Sequence, residues 1–177
     1  MKGFVTGLVL EALLVPVALY LLFRFGNAPV ATSAPPLPME RMLVRTALHV
    51  ALAKEAPKTV PIKVDDAALA AGARVYRANC AMCHGLPGQA APAVAKGMYP
   101  PAPQLFQPDK MVIDDPAGVT FWKAKNGIRL TGMPGFHASL SDAQLWQVSV
   151  LLAGADKLPL SILKILAPAA RDGNSHQ

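Results

Sequence analysis

The stretch Cys80-Ala81-Met82-Cys83-His84 decides how this chain folds. It contains both cysteines of the 177 residues, three positions apart, with a histidine directly after the second. Two cysteines cannot build a disulfide framework beyond their own pair. A structural zinc site is also disfavoured, because it needs four Cys or His ligands and the other histidines are scattered.

This spacing is the signature of covalent haem attachment. Each thiol can add to one haem vinyl group, and the imidazole of the next residue then points at the iron. A thioredoxin-like site also uses a cysteine pair, but it does not need the histidine and usually lies in a strand–helix pattern that is absent here. We therefore predict one covalent haem c, held by Cys80 and Cys83, with His84 as an iron ligand.

A helix leads into the motif. Asp65 or Asp66 can cap it, and it runs to about Asn79. Gly72 and Tyr76 lie on the same face as the first cysteine, at a spacing of four. Glycine within a helix costs about 1 kcal/mol relative to alanine, so a close approach of another helix is the expected reason for Gly72.

Two further helices follow the motif. The first is predicted to start at Asp115-Pro116, with a cap followed by a proline at the first helical position, and to stop at Asn126-Gly127. The second begins with a capping box, Ser141 and Gln144, and stops near Gly154. The loop between these two helices should therefore be held at both ends.

With these features the chain resembles the small single-haem cytochromes c, whose iron has His and Met axial ligands, and it looks closest to bacterial membrane-anchored members. The resemblance covers about residues 65–156 and includes the loop Thr131–Phe136 and a final helix, 141–152, with Trp146. It implies an all-α cytochrome c fold, with about three core helices around one covalent haem. The first and last should cross, with Gly72 and Tyr76 meeting Trp146, Val148 and Leu151.

The second axial ligand can be argued from the methionines themselves. Of the seven, only Met98, Met111 and Met133 follow the motif within the haem domain. Gly132 and Pro134-Gly135 flank Met133, where glycine permits close approach to a flat cofactor and proline stiffens the turn. Met133 is therefore the predicted ligand, and Met98 is interpreted as a gap-filling core residue.

The resemblance also implies an outer partner for the histidine ligand. In similar cytochromes a proline carbonyl accepts the ring N–H, and Pro100 and Pro101 are the candidates in a stretch that should be extended. Tyr99 and Trp122 either hydrogen-bond haem propionates or serve as aromatic packing.

The amino terminus is almost wholly apolar from residue 4 to residue 25, about the length of a membrane-spanning helix. Glu11 and Pro16 interrupt it. A cleaved signal peptide is the alternative, but the nearby small residues Ala28 and Ala34 are each followed by proline, which would hinder cleavage. We expect an uncleaved anchor in the cytoplasmic membrane.

Charge is uneven along the chain. Residues 1–64 carry seven basic and three acidic residues, whereas residues 65–156 carry seven of each. A neutral central block argues against nucleic-acid binding, and a basic flank beside an apolar anchor suits an anionic lipid surface. The predicted organisation is an anchor (1–26), a Pro-rich spacer with an amphipathic helix (27–64), a haem domain (65–156) and a C-terminal tail (157–177).

The amphipathic helix is expected over Met39–Ala56. Its apolar face can pack on the haem domain, on a partner or on lipid, and it comprises Met39, Met42, Leu43, Ala47, Val50 and Ala51. Pro57 and Pro61 close the segment.

These features indicate a one-electron carrier of a bacterial membrane-associated respiratory chain, with no small-molecule substrate and its haem domain in the periplasm. The alternative is the cytochrome subunit of a larger dehydrogenase or terminal oxidase complex. Redox partner proteins are expected in either case. Lys123, Lys125 and Arg129 are the densest cations of the neutral block, and they form either a docking patch or the ordinary charged end of a helix.

Overall fold

The computed structural model describes residues 2–26, 28–107 and 115–168. Met111 and His176 lie outside these residues. The described chain forms helices and no strand, which confirms the all-helical prediction. The elements are α1 (Lys2–Phe25), α2 (Glu40–Glu55), α3 (Asp66–Asn79), α4 (Ala81–His84), α5 (Ala93–Gly97), α6 (Ala117–Asn126), α7 (Asp142–Ala153), a 3₁₀ turn (Ala155–Lys157) and α8 (Leu160–Leu166).

The chain divides into two compact units, Met1–Glu40 and Arg41–Gln177. The first is mostly α1, in which Gly3–Phe25 is the one segment of the described chain long and apolar enough to cross a membrane. Its 23 residues rise about 35 Å as a helix, and the hydrocarbon core of a bilayer is about 30 Å thick. None of this segment is buried within the chain. Residues 28–38 form no helix or strand, and they include a turn in which Ala34 N donates to Ala31 O.

The second unit is built on the crossing of α3 and α7. A methyl group on Gly72 would overlap the carbonyl oxygen of Gln147, so the two backbones approach as closely as glycine allows. Tyr76 is buried in the same cluster as Val148 and Leu151. The predicted crossing of the first and last core helices is therefore confirmed for these residues.

The expectation that Trp146 joins this crossing is wrong. Its ring stacks on Phe121 of α6, with centroids 4.2 Å apart and planes 15° apart, and Leu145 completes that second cluster. The reason is helical geometry, because Trp146 and Val148 lie about 160° apart around α7. One helix thus serves two cores, one against α3 and one against α6.

The helix ends follow the predicted capping signals at α3 and α7. The Asp65 carboxylate caps α3, and Ser141 and Gln144 form a reciprocal capping box at α7. At α6 the prediction is wrong in detail. Pro116 is the N-cap itself without a side-chain bond, and the Asp115 carboxylate instead pairs with Lys123.

The segment after α7 was predicted only as a tail, yet it contains α8. Ile162 and Leu166 are buried in the cluster formed by α3 and α7. Arg77 of α3 donates from Nη1 to the Ile165 carbonyl at 2.7 Å. Part of the core is therefore supplied from beyond the region that resembles cytochromes c.

The helix expected over Met39–Ala56 corresponds to α2, although Met39 lies just before it with a φ of 63°. Leu52 and Ala56 are 9% and 5% exposed, and Val44 and Leu48 of the same side are half-buried. The predicted apolar face is the opposite side and is mostly exposed, as Met42, Leu43, Ala47 and Val50 show.

Replacing Gly72 tests the crossing. Gly72→Ala should destabilise the protein by about 2 kcal/mol or more, because the added methyl group overlaps a backbone carbonyl and forces the helices apart. Helix propensity alone predicts the opposite sign, a gain of about 1 kcal/mol. The measurement is the free energy of unfolding of the haem-loaded protein in denaturant.

Gly97→Ala is the matched control, because nothing lies within 4 Å of a methyl group there. It should change the unfolding free energy by less than about 0.5 kcal/mol. A stability of Gly72→Ala equal to that of the unmodified protein would contradict the close approach.

Candidate haem-binding site

The cysteine pair lies where α3 gives way to the single turn of α4. Cys80 ends α3, with its N–H donating to the Tyr76 carbonyl at 2.8 Å, and its own carbonyl accepts from His84 N at 2.9 Å. Cys80 and Cys83 are free thiols and half-buried. Burial raises the pKa of the Cys80 thiol to about 12, with a smaller contribution from Cys83.

The His84 ring is oriented by a backbone carbonyl. Its Nδ1 lies 2.7 Å from Pro103 O, and since a carbonyl only accepts, Nδ1 carries the proton. The lone pair of the ring is then on Nε2, which is the arrangement a metal ligand needs. Burial lowers the pKa of His84, while the Pro103 carbonyl partly opposes this shift. The neutral imidazole is the form that binds a metal.

The expectation that Pro100 or Pro101 supplies this carbonyl is wrong. The acceptor is Pro103, the last proline of the same stretch. Its position is reinforced by the next residue, because Gln104 Nε2 donates to Cys83 O at 3.5 Å and to Ala102 O at 3.4 Å.

Gln104 was missed by the sequence reasoning. Only 5% of it is exposed, so it is one of the few buried polar residues of the described chain. It follows the proline run at a position with no periodic pattern, so no signal in the sequence marked it as internal. Its amide ties the segment that holds Pro103 to the attachment motif.

A buried hydrogen bond holds the turn after His84. The Tyr76 hydroxyl donates to Gly85 O at 2.7 Å, and burial raises the pKa of Tyr76 above its ordinary range. Gly85 has a φ of 70°, which favours glycine, and a methyl group there would overlap the Gln104 side-chain oxygen. The ring of Tyr76 also meets the edge of Phe106, with centroids 5.0 Å apart.

A cavity of about 500 Å³ opens beside the imidazole. Apolar side chains and amides share its wall, which fits a cofactor that has an apolar body and a polar edge. The lining residues are His84, Leu86, Gly88, Gln89, Ala90, Gln104, Phe106 and Gln107. The thiol pair, the oriented imidazole and this adjoining space together fit a covalently attached haem.

Met133 lies in a loop that folds back on the end of α6. Its carbonyl accepts from Ile128 N at 3.2 Å, and Phe136 N donates to Ala124 O at 2.9 Å. The Thr131 hydroxyl donates to Ile128 O at 2.7 Å and accepts from Met133 N at 3.1 Å. These bonds fix the loop, and Met133 is half-buried in it. Met133 is not among the residues that line the cavity beside His84.

Met98 lies next to the same loop. A methyl group on Gly132 would be 2.9 Å from the Met98 sulfur, so that side chain packs against the residue before Met133. This contact matches the interpretation of Met98 as a packing residue, and it also keeps a second thioether near the loop.

The two aromatic side chains considered for propionates have partners within the chain. Trp122 Nε1 donates to Glu55 Oε2 at 3.0 Å, and Arg41 Nε donates to the Tyr99 hydroxyl at 3.1 Å. The indole N–H of Trp122 is therefore already engaged by α2.

The cation cluster is less positive than the sequence indicates. Lys123 pairs with Asp115, and Lys125 lies 2.8 Å from Asp142. Both lysines are in the last turn of α6, where cations meet a helix carboxyl terminus favourably. Within the described chain only Arg129 of the three has no acidic partner. The interpretation as a helix end thus describes the two lysines better than the docking patch does.

The comparison with protein families agrees with this geometry. Residues 67–152 match the family described as cytochrome C oxidase, cbb3-type, subunit III. The chain carries a cytochrome c domain. Such a domain binds haem and transfers electrons. No curated protein matches the chain. Within the part of the chain that the structure describes, no group of three or more His, Cys, Asp or Glu side chains is placed to hold a metal ion.

Removing the Tyr76 hydroxyl tests the bond that holds the turn after His84. Tyr76→Phe leaves the buried Gly85 carbonyl without a donor and should cost about 1–3 kcal/mol of unfolding free energy. Tyr99→Phe, which loses a hydrogen bond exposed to water, should cost less.

The same variant should change the response to alkaline pH. Above the ordinary tyrosine pKa of 10.0 the unfolded chain ionises, while the folded chain keeps Tyr76 neutral. The unfolded state then binds fewer protons, so stability falls as the pH rises past 10. Denaturant midpoints of Tyr76→Phe should fall less steeply there, and parallel curves for the two proteins would contradict the assignment.

Proposed function

We propose that the chain is a one-electron carrier with one haem c, attached through Cys80 and Cys83 and ligated by His84 and Met133. The observation that carries the proposal is the Cys-X-X-Cys-His motif with its histidine held by the Pro103 carbonyl. A bound haem supplies an iron that takes up and releases one electron. The sequence contains one such motif, which supports a single haem.

The protein's own residues would set the position and accessibility of that haem. Thioethers at Cys80, which follows α3, and at Cys83 of α4 would hold it, and the Pro103 carbonyl orients the His84 imidazole that would bind the iron. Met133, whose loop is fixed to the end of α6, would supply a thioether as the second iron ligand. Met/His ligation raises the reduction potential and leaves no coordination position for substrate, so this chain would turn over none.

The surface next to the Met133 loop supports contact with a redox partner. Leu130 is 79% exposed and has a φ of 61°, an uncommon conformation for a leucine. Such a conformation persists only where the surrounding structure imposes it, and it holds an apolar side chain out to solvent. An exposed apolar residue near the Met133 loop suits brief docking better than the paired lysines do.

The proposed location is the bacterial cytoplasmic membrane, crossed once by α1, with the haem domain in the periplasm. The length and composition of Gly3–Phe25 support this placement. Covalent haem attachment takes place outside the cytoplasm, which supports the same side for the domain.

The description of the matched family favours a second candidate function, in which the chain is again an electron carrier. That family is described as an oxidase subunit, so the chain would serve as the cytochrome subunit of a terminal oxidase complex. The electron-carrying chemistry is the same in both cases. They differ in whether the chain moves between partners or stays bound to one.

Replacing each methionine identifies the second ligand. Acid-acetone extraction should first leave the colour with the protein, because the haem is covalent. The oxidised protein should then show the weak red absorption band of sulfur ligation, and Met133→Ala should abolish this band and lower the reduction potential. Met98→Ala is the control and should keep both. Loss of the band in Met98→Ala alone would transfer the role to Met98.

Isolation from native membranes tests the anchor and the second candidate together. Intact-mass analysis should find the first residues retained, since proline follows the small residues near the end of α1. A mass starting at Ala31 or Pro35, with the protein in the soluble fraction, would indicate cleavage. Stable co-purification with a catalytic subunit in mild detergent supports the oxidase role, and purification alone supports the free carrier.

A further inference from the structure

Helix α2 has two apolar faces, and only one is covered. The inner face packs on the haem domain through Leu52, which is 9% exposed. On the other side Met42, Leu43 and Val50 are 54%, 59% and 48% exposed. Val50 points about 160° away from Leu48 of the inner face. A surface helix of a self-contained domain needs one apolar face, so the second requires a reason.

The helix is fastened to the domain near both of its ends, so it cannot rotate to cover this second face. Near the carboxyl end, Trp122 Nε1 of α6 donates to Glu55 at 3.0 Å. At the amino end, Arg41 Nε donates to the Tyr99 hydroxyl at 3.1 Å. Just after the helix the Pro57 carbonyl lies so close to Gly118 that a methyl group there would overlap it. The outer apolar face is therefore a fixed surface of the haem domain.

Basic side chains flank the exposed apolar residues. Around the helix Lys54 lies about 20° from Leu43 and Arg45 about 60° from Met42. Both are exposed without an acidic partner in the part of the chain that the structure describes. Residues 41–64 contain five basic residues and one acidic residue, Glu55, which already accepts from Trp122. An apolar strip with cations at its margins suits a bilayer surface, because long basic side chains reach anionic headgroups while the apolar residues enter the interface.

If α1 spans a membrane as proposed, the length of the connecting segment would keep α2 near it. Only 14 residues separate the end of α1 from the start of α2, which limits their separation to about 50 Å even when fully extended. We propose that the outer face of α2, formed by Met42, Leu43 and Val50, lies on the anionic lipid surface of the membrane that α1 crosses. This inference rests on the proposed anchor.

Seating α2 on lipid would give the haem domain a fixed orientation. Arg41 of α2 binds Tyr99, and the adjacent Met98 packs against Gly132 of the Met133 loop. The lipid contact would thus restrict how the Met133 loop is presented to partners at the membrane, where a flexible tether alone would allow every orientation.

The depth of a spin label on α2 tests the proposal. The sample is the full haem-loaded chain in bilayer discs, made of phosphatidylcholine with or without phosphatidylglycerol. Both native cysteines are then consumed by thioethers, so Val50→Cys carries the only nitroxide. Ala143→Cys is the control, an exposed position on α7. Power saturation in the reduced protein measures access to oxygen, which enters bilayers, and to a water-soluble nickel chelate.

The Val50→Cys label should show more oxygen access and less nickel access than the Ala143→Cys label, most clearly with phosphatidylglycerol. Replacing Arg45 and Lys54 by Gln removes two cations that would attract anionic headgroups. The ratio of chains with α2 on the lipid surface to chains with α2 in water should then fall by about fivefold per replaced residue. The matched pair Lys96→Gln and Arg129→Gln, which removes two exposed charges elsewhere, should leave this ratio unchanged.

Four other outcomes would contradict the lipid contact, and each points to a different cause. Equal nickel access at both labels in discs that retain the chain overturns it while leaving the anchor intact. Protection at Val50 that appears only at several chains per disc indicates a second copy, and protection only in native membranes indicates a partner protein. A chain that leaves the discs on flotation overturns the anchor and the lipid contact together.

Discussion

At Gly72 the backbone of α3 meets the backbone of α7, and a single methyl group there would overlap the Gln147 carbonyl. This approach sets the position of α3 and therefore of the attachment motif, which begins at its last turn. It also brings Val148 and Leu151 of α7 against Tyr76. The packing of these two helix backbones therefore determines where the two thiols and the imidazole of the site lie.

The polar groups at the site depend on that packing. Tyr76 donates from the buried crossing to the turn after His84, and Gln104 donates to the motif from a segment about 20 residues further on. Buried hydrogen bonds of this kind are costly to leave unmade, so they restrict the segment to one register. That register places the Pro103 carbonyl at the imidazole and leaves the opposite ring nitrogen available to a metal.

Two elements extend the cytochrome c domain beyond the matched residues 67–152. Helix α8 adds Ile162 and Leu166 to the crossing of α3 and α7, which enlarges the core of a small domain. Helix α2 is different, because it covers the domain with one face and leaves another apolar face outside. These additions indicate how a common electron-transfer domain is adapted to a particular position, here proposed to be a lipid surface.

Local signals along the chain were enough to predict helices α1, α2, α3, α6 and α7 and the attachment motif, but not α5 or α8. The capping residues Asp65 and Ser141 start α3 and α7 as predicted, and the cysteine spacing identified the motif without any structure. Whether Met133 is the second ligand stays a prediction from its stiff loop. Glycine at position 72 also predicted a close approach, because few other reasons place glycine inside a helix.

Which distant groups meet became clear only from the packing of the elements. The packing selected Pro103 over Pro100 and Pro101, moved Trp146 from the crossing to a stack on Phe121, and paired the lysines of α6 with carboxylates. It also showed which apolar face of α2 is covered. Sequence periodicity reports the spacing of residues along one element, whereas these outcomes depend on the angles and distances between elements, which no single segment encodes.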